Sequence, residues 1–413
     1  MKHALALSTV YPSAADPLSG IPVARAMNAL SRLGREFGGR QEDPPSADGW
    51  RVSVINPIGV APLGLGLFRE PAPSQDPVEG DEVRVIRSQY THIVRMGAHR
   101  QASAIAKAAL PIAERIHSES PVDLVAAQQF FPDAPAAAKI AAELGVPLSI
   151  KARGRDFTDW TGAGFAREQM LWAARQADGL LAASEDLKRR MAAMGIDRRR
   201  IAVHYTGLDR DRFRPLDHTQ LRAQLASALG FAMPETAPLL ACVGALSARN
   251  GQDIAIASLA GIVGARLILV GEGEDERHLR TLAADLDMGD RVHFAGSLDH
   301  DVLPLVLSAA DALVLPCVDK GLANVWIEAI ACGAPVVTTD TGSAREVIVS
   351  ETAGRLVARD PDDVAAGVNA LLNDPPLQRE VAAFANRYSW ERHARELAAH
   401  FDRLIGKERP DAP

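Results

Sequence analysis

The run Pro316-Cys-Val-Asp-Lys-Gly-Leu-Ala-Asn-Val-Trp-Ile-Glu328-Ala-Ile-Ala-Cys-Gly-Ala-Pro335 combines the residue types that anion and polyol binding require. Its pattern predicts a strand ending at Pro316, a turn at Gly321 that opens a helix, Glu328 on that helix, and a further strand from Pro335. The first turn of a helix leaves main-chain N–H groups without intrahelical acceptors, so the amides of Gly321, Leu322, Ala323 and Asn324 suit a phosphate. Glu328 lies about one turn farther in, where a carboxylate can accept from two vicinal hydroxyls such as those of a ribose.

Other positions carry weaker signals. Ser19-Gly20 follows the first strand and a loop from Pro12 to Pro17, and its amides can approach a phosphate or an acceptor; a plain helix cap explains it equally well. His204, His293 and His300 fit packing or surface roles better than that of a base, Trp172 and Trp326 fit a core, and Asp209 and Glu346 fit loop fixation. Cys242, Cys317 and Cys332 are odd in number, lack metal-ligand spacing and sit in apolar runs, which predicts reduced core thiols.

These residues need a scaffold, and the chain supplies an alternating one. Its 413 residues, 47% hydrophobic and 23% charged, can bury two cores and exclude disordered, collagen-like and disulfide-framework classes. In the first half strands are expected at 4–10, 51–56, 83–86, 122–127, 147–151, 179–183 and 201–205, with helical periods such as 20–33, 99–117 and 133–144 between them. The second half repeats the design with strands at 239–243, 266–270, 292–295, 312–315, 335–338 and 355–357. The expectation is α/β: two facing Rossmann-like, doubly wound domains, 1–213 and 214–388, with an interdomain cleft as the active site. A last helix, 390–405, is expected to cross back to the first domain, and the tail from Lys407 to be disordered. The stretch from Pro57 to Glu82, rich in proline and glycine, reads as a long loop.

The first residues read as a buried strand, not a secretory signal, and no stretch of about 18 uninterrupted apolar residues offers a membrane span. Charge is uneven: 28 basic against 24 acidic residues up to position 215, and 17 against 28 beyond it. A basic first half can meet an anionic lipid surface, but an ordinary solvated surface explains it better, so a cytoplasmic protein is expected, with peripheral contact at the inner face of the membrane as the alternative. No nucleic-acid partner is expected.

With these pieces in order, the chain resembles the retaining glycosyltransferases of family 4, which have the GT-B architecture. The resemblance rests on Val243-Gly244, Gly251-Gln252-Asp253, Val270-Gly271-Glu272-Gly273, Val292-His293-Phe294-Ala-Gly296, the Glu328-Ala-Ile-Ala-Cys-Gly helix with Pro335-Val-Val, and Gly342 with Glu346. In the first half Gly154 and Asp156 fit the family's cleft loop, and Gly207-Leu-Asp209 with Arg212-Phe213 fits the segment entering the linker. It implies a nucleotide-sugar donor, its base along the main chain near His293, Phe294 and Gly296, its ribose on Glu328 and its diphosphate at Gly321–Asn324. Gly244, Gly271, Glu272 and Gly273 line the same site, and a glycan or lipid-linked acceptor is implied. Neither a metal nor a resident cofactor is implied, and the loops carry no paired-carboxylate metal motif.

The departures from that pattern are as informative. Ala245 and Asn250 stand where the family places an arginine and a lysine on the diphosphate, Lys320 replaces a glutamate that faces the sugar, and Arg153 replaces a histidine. Arg153, Arg249 and Lys320 then read as relocated cations, with Arg153, Asp156 and Lys320 as the catalytic set. Transfer of a hexose to a hydroxyl with retention of configuration is the expected activity. A catalytically degenerate relative acting as scaffold of an active transferase is the alternative.

Overall fold

Short apolar runs such as Leu-Leu-Ala-Cys-Val and Arg-Leu-Ile-Leu-Val become strands because two parallel sheets bury them on both faces. The computed structural model describes residues 1–17, 19–33, 49–60, 83–91, 98–231, 234, 236–299, 301–318 and 321–406. They form two units, one of residues 1–207 with the segment from Trp390 onward, the other Leu208–Ser389. The first unit thus ends at Gly207, ahead of position 213. Leu208 belongs to the second, where its N–H donates to the Tyr388 carbonyl and it bridges to Ser389.

Among the described residues the first unit holds a seven-stranded parallel sheet of β1 (Lys2–Leu7), β2 (Trp50–Val60), β3 (Arg84–Thr91), β4 (Leu124–Ala127), β5 (Leu148–Ala152), β6 (Gly179–Ala182) and β7 (Ile201–Val203), ordered β3-β2-β1-β4-β5-β6-β7. Helices α1 (Ile21–Arg32), α2 (Gln101–Glu119), α3 (Asp133–Leu144), α4 (Arg155–Thr158), α5 (Gly164–Gln176) and α6 (Glu185–Ala193) connect them. The strand order reverses between β1 and β4.

One expectation fails here, since Pro57–Val60 continues β2 instead of opening a loop. The Ile55 carbonyl accepts from Ser8 N–H at 3.1 Å, so the main-chain groups of Ile55, and of Pro57 two residues on, face the β1 side. β1 pairs only as far as Leu7 with Ile55, so the missing N–H of Pro57 removes no ladder bond while β3 pairs on to Thr91. The remainder of the expected loop, 61–82, lies outside the described residues.

The second unit opens with α7 (His218–Leu229) and carries β8 (Leu239–Val243), β9 (Arg266–Val270), β10 (Val292–Gly296), β11 (Ala312–Leu315), β12 (Val336–Thr339) and β13 (Gly354–Val357), ordered β10-β9-β8-β11-β12-β13. Between and after them run α8 (Gln252–Ser258), α9 (Glu276–Asp285), α10 (Leu303–Ala309), α11 (Asn324–Ala331), α12 (Ala344–Val347), α13 (Pro361–Asn373) and α14 (Gln378–Ala383). Here the order reverses between β8 and β11. Cys242, Cys317 and Cys332 are buried and unbridged.

The last helix, α15 (Trp390–Ile405), packs in the first unit, burying Leu397, Phe401 and Leu404 with Val23, Met27 and Leu30 of α1. The Phe401 ring meets Trp50 edge-on at 5.5 Å. Its polar side is also buried. A carbonyl can only accept, so His204 Nε2–H donates to the His393 carbonyl (3.0 Å), which leaves Nδ1 to accept from Lys151 Nζ (3.0 Å). By the same rule His393 Nδ1–H donates to the Tyr205 carbonyl at 2.7 Å, and the two imidazoles stack at 4.0 Å. His400 Nε2 meets Ser149 Oγ at 3.0 Å.

Burial first, then the Lys151 charge, holds both His204 and His393 well below the ordinary histidine range, and burial lowers Lys151 likewise. The unfolded chain takes up protons as pH falls below about 6.5, whereas these imidazoles do not, so stability is lost as pH drops toward 5. Asp133 pulls the other way, because burial raises its carboxyl to about 7 and the stability tied to it is lost as pH rises from about 4 to 7. His393→Phe keeps a stacked ring and removes the titrating nitrogens. Melting curves from pH 7.5 to 5 should therefore show a shallower acid loss in His393→Phe than in wild type, at roughly 2–4 °C per kcal/mol; parallel losses would remove His393 as a cause.

Candidate functional site

In doubly wound sheets ligands bind beyond the carboxyl ends of the strands where the order reverses, which directs attention to β8 and β11 in the second unit. Beside that point the β8 and β9 loops are stacked main chain on main chain. A Cβ on Gly271 (φ 134°) would lie 2.2 Å from the Gly244 carbonyl oxygen, and one on Gly273 would lie 2.1 Å from that of Leu246. Gly244 N–H donates to the Val270 carbonyl (2.9 Å), Leu246 N–H to that of Glu272 (3.0 Å), and Gly271 N–H to that of Gly296 (2.8 Å). The exposed side chain of Glu272 takes no part in this stacking.

Asn250 is mostly buried, and its Nδ2 donates to the Ala245 carbonyl at 2.6 Å, joined there by Gln252 Nε2 at 2.9 Å. The amide standing where the family has a lysine therefore closes its own loop. Arg249 is exposed, and its carbonyl accepts from Val318 N–H at 2.8 Å, joining the β8 loop to the β11 loop. Gly251, at φ 75°, heads α8 against the Pro316 carbonyl.

α11 starts after Ala323, where no side chain caps it, and Trp326 N–H returns to the Ala323 carbonyl at 3.1 Å. Gly321 and Asn324 are exposed, Leu322 half-buried and Ala323 buried. Glu328 is half-buried on the second turn and shares a face with Cys332, whose thiol burial pushes up to about 12, with Glu328 adding to the rise. Trp326 is fully buried.

On β10, His293 stacks on Phe231 at 4.9 Å, and burial followed by the Arg280 charge lowers its imidazole. Phe294 lies under the Arg280 guanidinium at 4.1 Å. The pairing of β10 with β9 shifts register between Phe294 and Gly296, so Ala295 is extra. Both rings are half-buried, each with a neighbour against it.

In the first unit the reversal lies at β1 and β4, and three charged side chains gather beyond it. Arg153, at the end of β5, donates through Nε to the Gln128 carbonyl (2.8 Å) and through Nη2 to Gln128 Oε1 (2.7 Å). Asp156 accepts from the N–H groups of Phe130 (2.7 Å), Arg153 (2.9 Å) and Gly154 (2.7 Å), tying the β4 and β5 loops together. Burial raises Asp156 and lowers Arg153 to about 10, which leaves the guanidinium charged at neutral pH.

Asp133 is fully buried and receives Thr9 N–H at 3.2 Å and Thr9 Oγ1 at 2.8 Å, while the same hydroxyl lies 3.1 Å from Gln129 Oε1. One hydroxyl proton cannot serve both acceptors. The Gln129 amide can turn its Nε2 toward Oγ1, which leaves the hydroxyl to donate to Asp133. Gly20 heads α1 at φ 70°, with space for a Cβ only 2.4 Å from the Val10 carbonyl oxygen, and Ser19 N–H donates to Asp16 Oδ1 at 3.2 Å.

Gly244, Asn250, Gly271 and Gly273 thus lie in the joined β8 and β9 loops of the second unit, and Arg153 and Asp156 in the joined β4 and β5 loops of the first. Lys320 and His300 lie outside the described residues. Arg153 is no loosely held cation, since Gln128 fixes two of its nitrogens. Sequence reasoning passed over Thr9, Gln128, Asp133 and Arg359, although all four lie within two residues of a strand end or head a helix, where doubly wound sheets place ligands. Among the described residues, no three His, Cys, Asp or Glu side chains gather as a metal site, and no helix is long and apolar enough to cross a membrane.

Comparison with known proteins agrees with this architecture. Residues 230–388 match the family model described as glycosyl transferases group 1, and residues 46–207 match the glycosyl transferase 4-like domain. A GDP-mannose-dependent alpha-(1-6)-phosphatidylinositol monomannoside mannosyltransferase of Mycobacterium tuberculosis is 34% identical over 45% of this chain and 49% of its own length. A 2-deoxystreptamine glucosyltransferase of Streptomyces kanamyceticus is 29% identical over 58% of this chain and 64% of its own. The chain spans about half the length of the curated relatives it matches first. Among solved structures, sucrose-phosphate synthase of Thermosynechococcus elongatus superposes with a TM-score of 0.72 over 98% of this chain and 99% of its own at 19% identity. Anabaena HepE in complex with UDP gives 0.73 over 98% and 100% at 18%.

Proposed function

The chain belongs to the group 1, family 4 glycosyltransferases with the GT-B fold, and from that premise we propose that it moves a hexose from a nucleoside-diphosphate sugar to a hydroxyl acceptor with retention of configuration. The observation that carries the reading is the second unit's site: glycine-stacked β8 and β9 loops beside the β8/β11 reversal, an uncapped start of α11, and Glu328 on its second turn. Helix amides take the diphosphate, Glu328 takes the ribose hydroxyls, and the bulged main chain of β10 takes the base. In the transfer the bond from the sugar C1 to the diphosphate oxygen breaks and a bond from C1 to the acceptor oxygen forms on the same face. The acceptor proton passes to the leaving diphosphate. The protein contributes orientation and charge, with Arg153 and Lys320 as the cations proposed nearest the reacting groups. A glycan or lipid-linked acceptor follows from the relatives named above, one of which acts on a phosphatidylinositol mannoside.

Helix amides and fixed cations supply the positive potential in this reading, so no divalent cation is needed for donor binding. Titration calorimetry with UDP, GDP and ADP, each with and without EDTA, tests it. One of the three should bind, equally well in both buffers. A strict magnesium or manganese requirement would refute the metal-free site, and silence from all three would favour the scaffold reading that the closed Asn250 loop also motivates.

A further inference from the structure

The loop after β13 brings Arg359 to the same strand ends. Its Nε donates to the Pro316 carbonyl (3.2 Å) in the β11 loop, and its Nη2 donates to the Ala248 carbonyl (2.8 Å) in the β8 loop. Asp253 Oδ1, on the first turn of α8, lies 3.8 Å from Nη2, beyond hydrogen-bond reach, and the side chain stays 34% exposed. The guanidinium therefore spans two loops that approach each other almost without clearance, since a Cβ on Gly251 would come within 2.2 Å of the Pro316 oxygen. Three elements converge on residues 316–318: Arg359 on the Pro316 carbonyl, Thr339 Oγ1 on the Cys317 carbonyl, and the Arg249 carbonyl on Val318 N–H.

We propose that Arg359 is a positioning residue of the donor site, which sets the spacing of the two diphosphate loops and places a fixed positive charge beside them. The inference rests on the donor-site reading above. It accounts for how the site does without charge at Ala245 and Asn250: the β8 loop closes on itself through Asn250, and a cation arrives from another strand end to hold it. A planar fork with several donors can bridge two carbonyls and remain charged, which a lysine ammonium does less well.

The test separates positioning from plain loop stability by comparing two ligands in Arg359→Gln and Arg359→Lys. The first ligand is whichever of UDP, GDP and ADP wild type binds most tightly, measured by calorimetry; the second is the matching nucleoside, measured by ligand-observed NMR. Arg359→Gln should lower diphosphate affinity about tenfold and leave nucleoside affinity unchanged, with Arg359→Lys recovering part of the loss. The diphosphate loss in Arg359→Gln should also shrink as salt rises. Should Arg359→Gln fail to fold, the lysine variant must still show a selective diphosphate loss. Equal losses for both ligands, or none, overturn the inference while the donor site stands. Failure of wild type to bind any of the three overturns the donor-site reading and this inference with it.

Discussion

Glu328→Ala should weaken nucleoside-diphosphate binding by about 2–4 kcal/mol, roughly 30- to 1000-fold, without a matching fall in melting temperature. A carboxylate that accepts two hydroxyls forfeits both bonds on truncation. The helix itself loses little, since Glu328 is half-buried and alanine is a better helix former. Glu328→Gln, which keeps an acceptor oxygen and removes the charge, should fall between the two. Glu346→Ala is the control: the Glu346 charge acts on the buried Tyr388, to which Arg387 is hydrogen-bonded, and truncation there should lower stability more than affinity. Equal affinity in wild type and Glu328→Ala would remove the ribose from this helix.

Gly251→Ala should be a strongly damaging single-methyl substitution in the second unit. Two penalties combine. A left-handed backbone (φ 75°) costs a non-glycine residue about 1–3 kcal/mol, and a Cβ placed 2.2 Å from the Pro316 oxygen adds about 1–3 kcal/mol or more, because its neighbour is main chain and cannot rotate away. Against a total stability of about 5–15 kcal/mol this is a large share. Two glycines separate the terms. Gly264 has φ 69° with nothing within 4 Å of a Cβ and should show only the backbone penalty, while Gly289, with no positive φ and open space, should show neither. Urea unfolding of the three alanine variants should rank them 251, 264, 289 in order of loss. A Gly251→Ala loss no greater than that of Gly264→Ala would mean that the two loops are not in contact. Diphosphate affinity should fall with Gly251→Ala alone, since only that change pushes the β8 and β11 loops apart.

Much of the fold was legible because parallel strands buried on both faces are written as uninterrupted apolar runs. β8, β9 and β11 begin and end where the runs do, and α15 spans 390–405 as its pattern predicts. Glycine positions were legible for a related reason: a close main-chain approach or a left-handed turn admits almost nothing else, so Gly244, Gly251 and Gly271 mark the site in the sequence. Three things depended on tertiary structure. Pro57 sits inside β2 because its neighbour β1 ends first, and where a strand ends beside another is a property of the sheet. Asn250 closes a loop and Arg153 is held by Gln128, and a residue type carries no record of which carbonyl it meets. Arg359 stands more than a hundred residues from the β8 loop it binds, and the crossovers that wind the sheet put β13's end on the same edge as those of β11 and β8, two and three strands away, within the reach of an arginine. Residue types determine what chemistry is possible at a strand end, whereas the order of strands in the sheet decides which ends share it.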